Sequence, residues 1–388
     1  MKQIAIIVFF LCCHIILAAE GCPVKVGAEC TEEYFHLLEG KKIGILTNHT
    51  GMVEGEHLVD LLHSSGFDIR VIFAPEHGFR GNADAGEKVN DEIDPQTGIK
   101  IYSLYKSKTG KPDKKTIQDL DIVLFDLQDV GLRYYTYYIS MYKMMDACAD
   151  NNTTMIILDR PNPNGFYVDG PILDMKHKSG VGYLPIPIVH GMTLGEMAMM
   201  INGEKWLPDG KKCPLIVIQS KNYNHQTKYQ LPVAPSPNLP NMKSVYLYAS
   251  TCFFEGTPIS LGRGTDAPFQ IFGSPEMKNY EFSFTPKSRP GAKNPPLLNQ
   301  TCYGVDLRSV PDEEIWAAGI NLNYLIEAYN ASNLGQKFFT SFFEKLIGVD
   351  YVRQMIIDGK SSQEIKSCWK NEVEEFKEQR KPYLLYEE

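Results

Sequence analysis

From Lys41 onward, short apolar runs rich in β-branched residues alternate with stretches of helical spacing, and this repeat constrains the fold more than any other feature. A strand covered by helices on both faces has no need of polar alternate positions. Parallel sheets therefore read as continuous apolar runs. The runs at 43–46, 69–73, 122–125, 155–158 and 215–218 are predicted strands, bounded by Gly, Pro, Asn or Asp. Between them the spacing predicts helices over 57–63 and 138–148. Thr193-Leu194-Gly195-Glu196 is a capping box that opens a helix running through Ile201. The expected fold class is α/β, with a Rossmann-like, open, mostly parallel sheet.

The pattern changes after Leu231. Pro232, Pro235, Pro237 and Pro240 crowd one segment, so a linker or an ordered Pro-rich crossing is expected over 231–242. A second irregular stretch covers 286–298. Ser361-Ser362-Gln363-Glu364 starts a terminal helix whose apolar residues Ile365, Cys368, Trp369, Val373 and Phe376 share one face. The tail Tyr383-Leu384-Leu385-Tyr386 is expected to dock on a core.

The chain is 388 residues with a net charge of −8, which argues against a nucleic-acid partner. Its length is enough for two domains. Met1-Lys2-Gln3, the apolar run 4–17 and the pair Ala18-Ala19 have the layout of a signal peptide cleaved after Ala19. The run is short for a membrane span, and a secreted or periplasmic protein is expected. Seven cysteines follow that segment, none in a CxxC pair, so a zinc site is disfavoured; Cys22 and Cys30 can close a small loop.

Ligands of open α/β sheets bind beyond the carboxyl ends of the strands. Four successive predicted strands here end in polar clusters. They are Thr47-Asn48-His49-Thr50-Gly51, Ala74-Pro75-Glu76-His77-Gly78-Phe79-Arg80-Gly81, Asp126-Leu127-Gln128-Asp129-Val130-Gly131-Leu132-Arg133 and Asp159-Arg160-Pro161-Asn162-Pro163-Asn164-Gly165. Burying so many carboxylates, amides and imidazoles without purpose would be costly. No GxGxxG follows the first strand and no GxxxxGK[ST] occurs, so no nucleotide cofactor is expected. HExxH and GxSxG are absent, and His49, Glu76, His77 and His190 would have to meet from separate loops to hold a metal; no metal or other cofactor is expected. Glu76 is the leading acid, because partial burial beside Pro75 would raise its pKa. Asp126 or Asp129 would supply a second charged role. Arg80, Arg133, Arg160 and Arg263 are candidates for gripping a substrate carboxylate. The tyrosines at 134, 135, 137 and 138 offer sugar-stacking faces, or a helix's core stripe.

These motifs, in order, resemble the exo-β-N-acetylmuramidase (NamZ) family. The resemblance continues through Pro185-Ile186-Pro187-Ile188-Val189-His190-Gly191, Pro235-Ser236-Pro237-Asn238, Phe254-Glu255-Gly256-Thr257 and Gly262-Arg263-Gly264-Thr265, and covers about residues 40–386. It implies a Rossmann-like catalytic domain and a smaller C-terminal α/β domain, with the active site in the cleft between them; after the signal peptide expected at 1–19, these are placed at 20–235 and 236–388. It also implies hydrolysis of terminal β-linked N-acetylmuramic acid from peptidoglycan fragments, with Glu76 as the general acid. Residues expected at the substrate are Asn48, His49, His77, Arg80, Gln128, Arg133, Tyr137, Asp159, Arg160, Asn162, His190, Glu255 and Arg263. Two other readings stay open: a secreted muropeptide-binding protein without catalysis, and a hydrolase of another amino-sugar linkage.

Overall fold

The computed structural model describes residues 22–75, 78–79, 92–104 and 110–388. The expected signal peptide lies outside them. In chain order the strands are β1 (Lys42–Thr47), β2 (Met52–Val53), β3 (Glu56–His57), β4 (Asp68–Ala74), β5 (Glu92–Ile93), β6 (Lys100–Ser103), β7 (Ile122–Asp126), β8 (Thr154–Leu158), β9 (Leu215–Ile218), β10 (Ile271–Ser274), β11 (Phe282–Phe284) and β12 (Cys302–Asp306). The helices are α1 (Thr31–Leu38), α2 (Leu58–Ser64), α3 (Lys114–Gln118), α4 (Tyr137–Asn151), α5 (Leu194–Gly203), α6 (Met242–Thr251), α7 (Asp312–Ala318), α8 (Asn323–Ser332), α9 (Phe343–Ile347), α10 (Tyr351–Ile357), α11 (Ser362–Ser367) and α12 (Lys370–Arg380).

The main sheet has the order β5-β6-β4-β1-β7-β8-β9. Only β5 runs antiparallel, along the β6 edge. The six parallel strands, taken in chain order, lie as 3-2-1-4-5-6, which is the doubly wound Rossmann order. The chain moves outward from β1 through β4 to β6, then returns past β1 to β7. Adjacent loops after β1 and β7 thus leave in opposite directions and open a crevice between them. Thr47 pairs with Asp126 at the rim of that crevice.

Strand periodicity divides the apolar residues between two cores. Ile43, Ile45, Ile122, Leu124 and Ile156 face α1 and α2, packing with Tyr34, Leu38, Leu58 and Leu62. Leu46, Val123, Phe125, Met155 and Ile157 face the other way, toward Tyr138, Met141 and Met145 of α4 and Met197 and Ile201 of α5. Both sides of β7 are buried, which explains why its run carries no polar residue before Asp126.

A smaller antiparallel sheet, β10-β12-β11, lies among the C-terminal helices. Its Phe272 belongs to the same apolar core as Phe253, Phe338 and Tyr134. The two halves therefore share one continuous interior.

The structure departs from the sequence reading in three places. β5 and β6 were not expected; Lys100-Ile101-Tyr102-Ser103 alternates in polarity, as suits a strand near a sheet edge, and lacks an apolar run. The terminal helix is two helices, α11 and α12, broken at Cys368 and Trp369. The break lets the buried Trp369 donate its ring N–H to Asp169 Oδ1 at 2.9 Å. The 231–242 stretch is no departure: it is the ordered crossing, one of its two expected forms, pinned by hydrogen bonds described below. Finally, Cys22 and Cys30 are free thiols, and Cys30 is buried with its Sγ 3.6 Å from the Val26 carbonyl.

Candidate active site

The crevice at the β1/β7 switch point is lined by backbone that side chains hold in place. Asn48 donates to the Tyr137 hydroxyl at 2.7 Å, and its Oδ1 accepts from the Thr50 amide and hydroxyl at 2.9 and 2.7 Å. Thr50 Oγ1 in turn accepts the Gln128 amide at 3.1 Å, which joins the β1 loop to the β7 loop. Gln128 continues the link to the β8 loop by donating to the Asp129 and Pro161 carbonyls at 2.9 and 2.8 Å. Asn162 donates to the Met192 carbonyl at 2.9 Å, and Asn164 reaches back to the Val130 carbonyl at 2.9 Å. Gly131 is required between them. Its φ is 76°, and a Cβ there would lie 2.1 Å from Asn162 Oδ1.

Two aspartates of the β7 loop have different surroundings. Asp126 is locked against Arg160, whose Nε and Nη2 donate to its two oxygens at 2.5 and 3.0 Å with both side chains out of solvent. Arg160 also donates to the Met52 carbonyl at 3.0 Å. With both oxygens so held, Asp126 is unsuited to proton transfer, and Arg160 is already committed to a partner within the protein. Asp129 is the contrasting case. Its Oδ1 accepts the Gly131 amide at 2.6 Å, while the buried Oδ2 has no partner among the described residues. Burial raises its pKa to about 7, against the lowering effect of the Gly131 and Val130 amides. A carboxyl group with one free oxygen and that pKa can give or take a proton at neutral pH.

Behind these loops lies a polar layer fastened to the chain terminus. Asp159 accepts the Gly195 amide at 2.8 Å and the Tyr386 hydroxyl at 2.7 Å, and burial raises its pKa to about 6. Glu196, expected only as a capping partner, does cap Thr193 at 2.8 Å but also bonds His225 Nε2 at 3.0 Å and the Leu385 amide at 2.8 Å. His190 is wholly buried. Its Nδ1 accepts the Met192 amide at 3.2 Å, and burial, with Arg380 and His225 nearby, pushes its pKa down to about 3. It is a neutral imidazole there, and its second nitrogen has no partner among the described residues.

Other expected residues serve the scaffold. Arg133 is fully buried and donates to four backbone carbonyls, those of Pro171, Ile186, Leu346 and Ile347, at 2.8 to 3.1 Å. Burial without an anionic partner lowers its pKa to about 10. It is a strut between the two halves and is not available to a substrate. The four tyrosines are buried too. Tyr134 and Tyr135 donate to the carbonyls of Tyr248 and Pro235, and Tyr138 accepts the Tyr183 amide, so their rings are core and present no stacking face. His49 is held by the Ala234 carbonyl at 2.9 Å. Glu255 and Arg263 pair with each other at 2.6 Å on a cavity of about 450 Å³. Glu76, His77 and Arg80 lie outside the described residues. Sequence reasoning passed over Tyr386 as a partner of Asp159, although the aromatic tail was its signal.

A larger cavity of about 770 Å³ lies between α11, α12 and the Asn321 loop, away from the switch point. Among the described residues, the only cluster with metal-ligand geometry is Cys30, Glu32 and Glu33, whose two carboxylates are paired with Lys221 at 2.9 and 2.7 Å.

A doubly wound sheet with carboxylates gathered at its switch point is the layout of an α/β enzyme. The family model for the N-terminal part of exo-β-N-acetylmuramidase NamZ matches residues 43–243, and that for the C-terminal part matches 246–386. The chain belongs to the NamZ family of glycoside hydrolases. It is 36% identical over 373 residues to the peptidoglycan β-N-acetylmuramidase NamZ of Bacillus subtilis, covering 91% of this chain and 89% of that one. Two crystal structures of DUF1343 family proteins from Bacteroides fragilis share its fold. One is 59% identical with a TM-score of 0.89, the other 27% identical with a TM-score of 0.78; each comparison covers 94% of this chain and 99% of the other.

Proposed function

We propose that this chain is an exo-acting glycosidase that releases terminal β-linked N-acetylmuramic acid from the non-reducing end of peptidoglycan fragments. Both family models and the Bacillus relative support the activity. The observation that carries the chemistry is Asp129, a buried carboxyl with a free oxygen and a pKa near neutrality. Glycoside hydrolysis passes through an oxocarbenium-like state that needs a proton donor at the leaving oxygen and a second carboxyl near the anomeric carbon. Glu76, which follows β4 and Pro75, is assigned the donor role. Asp129 either takes a proton from water or orients the substrate's acetamido group. Asp126 holds Arg160 and, through it, the β1 and β8 loops. The signal-peptide layout of the sequence at 1–19 is the basis for placing this action outside the cytoplasm.

The test is a panel of chromogenic β-glycosides of muramic acid, glucosamine and glucose. Release from the muramide alone is the expected result, abolished in Glu76→Gln and Asp129→Asn. Turnover of the glucosaminide in preference would move the assignment to another amino-sugar linkage. Retention of N-acetylmuramic acid without turnover of any glycoside would mark a binding protein.

A further inference from the structure

The Arg263–Glu255 pair offers one half of a guanidinium to solvent inside a cavity. Arg263 Nε and Nη2 both donate to one oxygen, Glu255 Oε1, at 3.2 and 2.6 Å. Nη1 of Arg263 and Oε2 of Glu255 have no partner among the described residues. The side chains are 21% and 26% exposed, so these atoms are reachable. The other two described arginines that sequence reasoning put forward are consumed, Arg133 by four carbonyls and Arg160 by Asp126.

The cavity they line is about 450 Å³, within the range of small-molecule pockets. Its charged lining residues are Arg263, Lys293 and Glu255. Phe269 has φ of 62°, a left-handed conformation that an aromatic residue rarely adopts, and its ring lies 5.1 Å from the Arg263 guanidinium. The cavity is linked to the crevice through the Pro-rich crossing. Gly291 on its wall accepts from Asn238 at 2.8 Å, and the same Pro-rich crossing supplies Ala234 and Pro235 as acceptors for His49 and Tyr135.

We infer that this pair is a subsite for a hydroxy-acid sugar: Arg263 Nη1 takes a carboxylate, and Glu255 Oε2 takes a hydroxyl or amide N–H of the same ligand. The inference rests on the proposed muramidase activity, where that carboxylate is the lactyl group that distinguishes muramic acid from glucosamine. A ligand with both a carboxylate and a hydroxyl meets both open hydrogen-bonding atoms of the pair, whereas a neutral sugar leaves Nη1 without a charged acceptor. Discrimination by a charge-assisted hydrogen bond amounts to about 10- to 100-fold.

The experiment compares N-acetylmuramic acid with its lactyl amide, by calorimetric binding and as chromogenic β-glycosides, for the wild type, Arg263→Gln and Arg263→Lys. The wild type is expected to prefer the acid about 10- to 100-fold in binding and in KM. Arg263→Gln should reduce that ratio to near one while the amide changes less than about threefold, and Arg263→Lys should recover part of it. An acid-to-amide ratio unchanged in Arg263→Gln, or a wild type that binds both equally, overturns the subsite. A variant that loses acid and amide alike also overturns it, since that is the signature of a purely structural pair. If the wild type shows the binding preference without turning over either glycoside, the muramidase reading fails while the subsite stands.

Discussion

Tyr386, two residues before the last of the sequence, donates its hydroxyl to Asp159 at the carboxyl end of β8 over 2.7 Å. The same oxygen accepts the Ser220 amide at 2.9 Å. The final segment thus closes the back of the half built on the main sheet, with the Leu385 amide on Glu196 and the Glu387 carbonyl on the His225 amide. Tyr386→Phe leaves the Ser220 N–H and one oxygen of Asp159 unpaired in a buried site. We expect a loss of about 1–3 kcal/mol, read as a lower urea midpoint. Deleting 384–388 should cost more, because Glu196 and His225 lose partners as well. Because Tyr386 helps hold down the Asp159 pKa, the Phe variant should also titrate Asp159 at a higher pH.

The Asp126–Arg160 pair calls for a double-mutant cycle. Its two charges are buried and satisfy each other at 2.5 and 3.0 Å. Asp126→Asn strands a buried guanidinium and should cost about 3–5 kcal/mol, whereas replacing both residues by apolar ones should cost much less than the sum. Additive losses in thermal or urea unfolding would mean that the pair is not coupled. Activity should fall in every variant, since Arg160 also holds the Met52 carbonyl near the β1 loop.

Gly131→Ala isolates the geometry of the crevice from its charges. The substitution asks alanine to adopt φ of 76° and places its Cβ 2.1 Å from Asn162 Oδ1. Asn162 would have to leave the Met192 carbonyl and the Asn164 amide. Left-handed strain and the displaced hydrogen bonds together predict about 2–4 kcal/mol of destabilisation and a large fall in kcat. Wild-type unfolding in urea for this variant would contradict the geometry.

How much of this was legible in the sequence depends on whether a residue's role is set locally. The apolar runs from Ile43 to Leu158 read as strands because both faces of the sheet are covered there, and the polar clusters after them marked the crevice; Leu215–Ile218 reads as one from its β-branched run, although Ile216 is exposed at the sheet edge. β6 did not, since Lys100 and Ser103 interrupt its apolar pattern. Arginine roles were illegible for a different reason. Arg133 and Arg263 sit in similar Gly-containing loops, yet only the carbonyls of Ile347 and Leu346, more than two hundred residues downstream, make Arg133 a strut. The contrast between Asp126 and Asp129 likewise depends on Arg160, which lies on another strand's loop. Tyr386 could be read as a docking aromatic but not assigned its partner, because Asp159 lies 227 positions away.

The Asp129 carboxyl makes a prediction whose sign separates stability from activity. Its folded-state pKa of about 7 stands above the value of 3.8 for an unperturbed Asp. Folding therefore raises proton affinity at this site. The associated stability is fully present below about pH 4 and is lost as pH rises toward 7, after which the curve is flat with respect to this group. Asp159, raised to about 6, adds a slope of the same sign over a narrower window. Asp129→Asn is neutral at every pH and should remove most of that decline, by an amount on the order of a few kcal/mol, visible in unfolding midpoints between pH 5 and 8. In the wild type, kcat/KM should show an ionisation near 7. The Asn variant should lose that limb and at least about 100-fold in rate, even while it unfolds at higher urea at pH 8 than the wild type does. A variant that keeps both the rate and the limb would remove Asp129 from the chemistry.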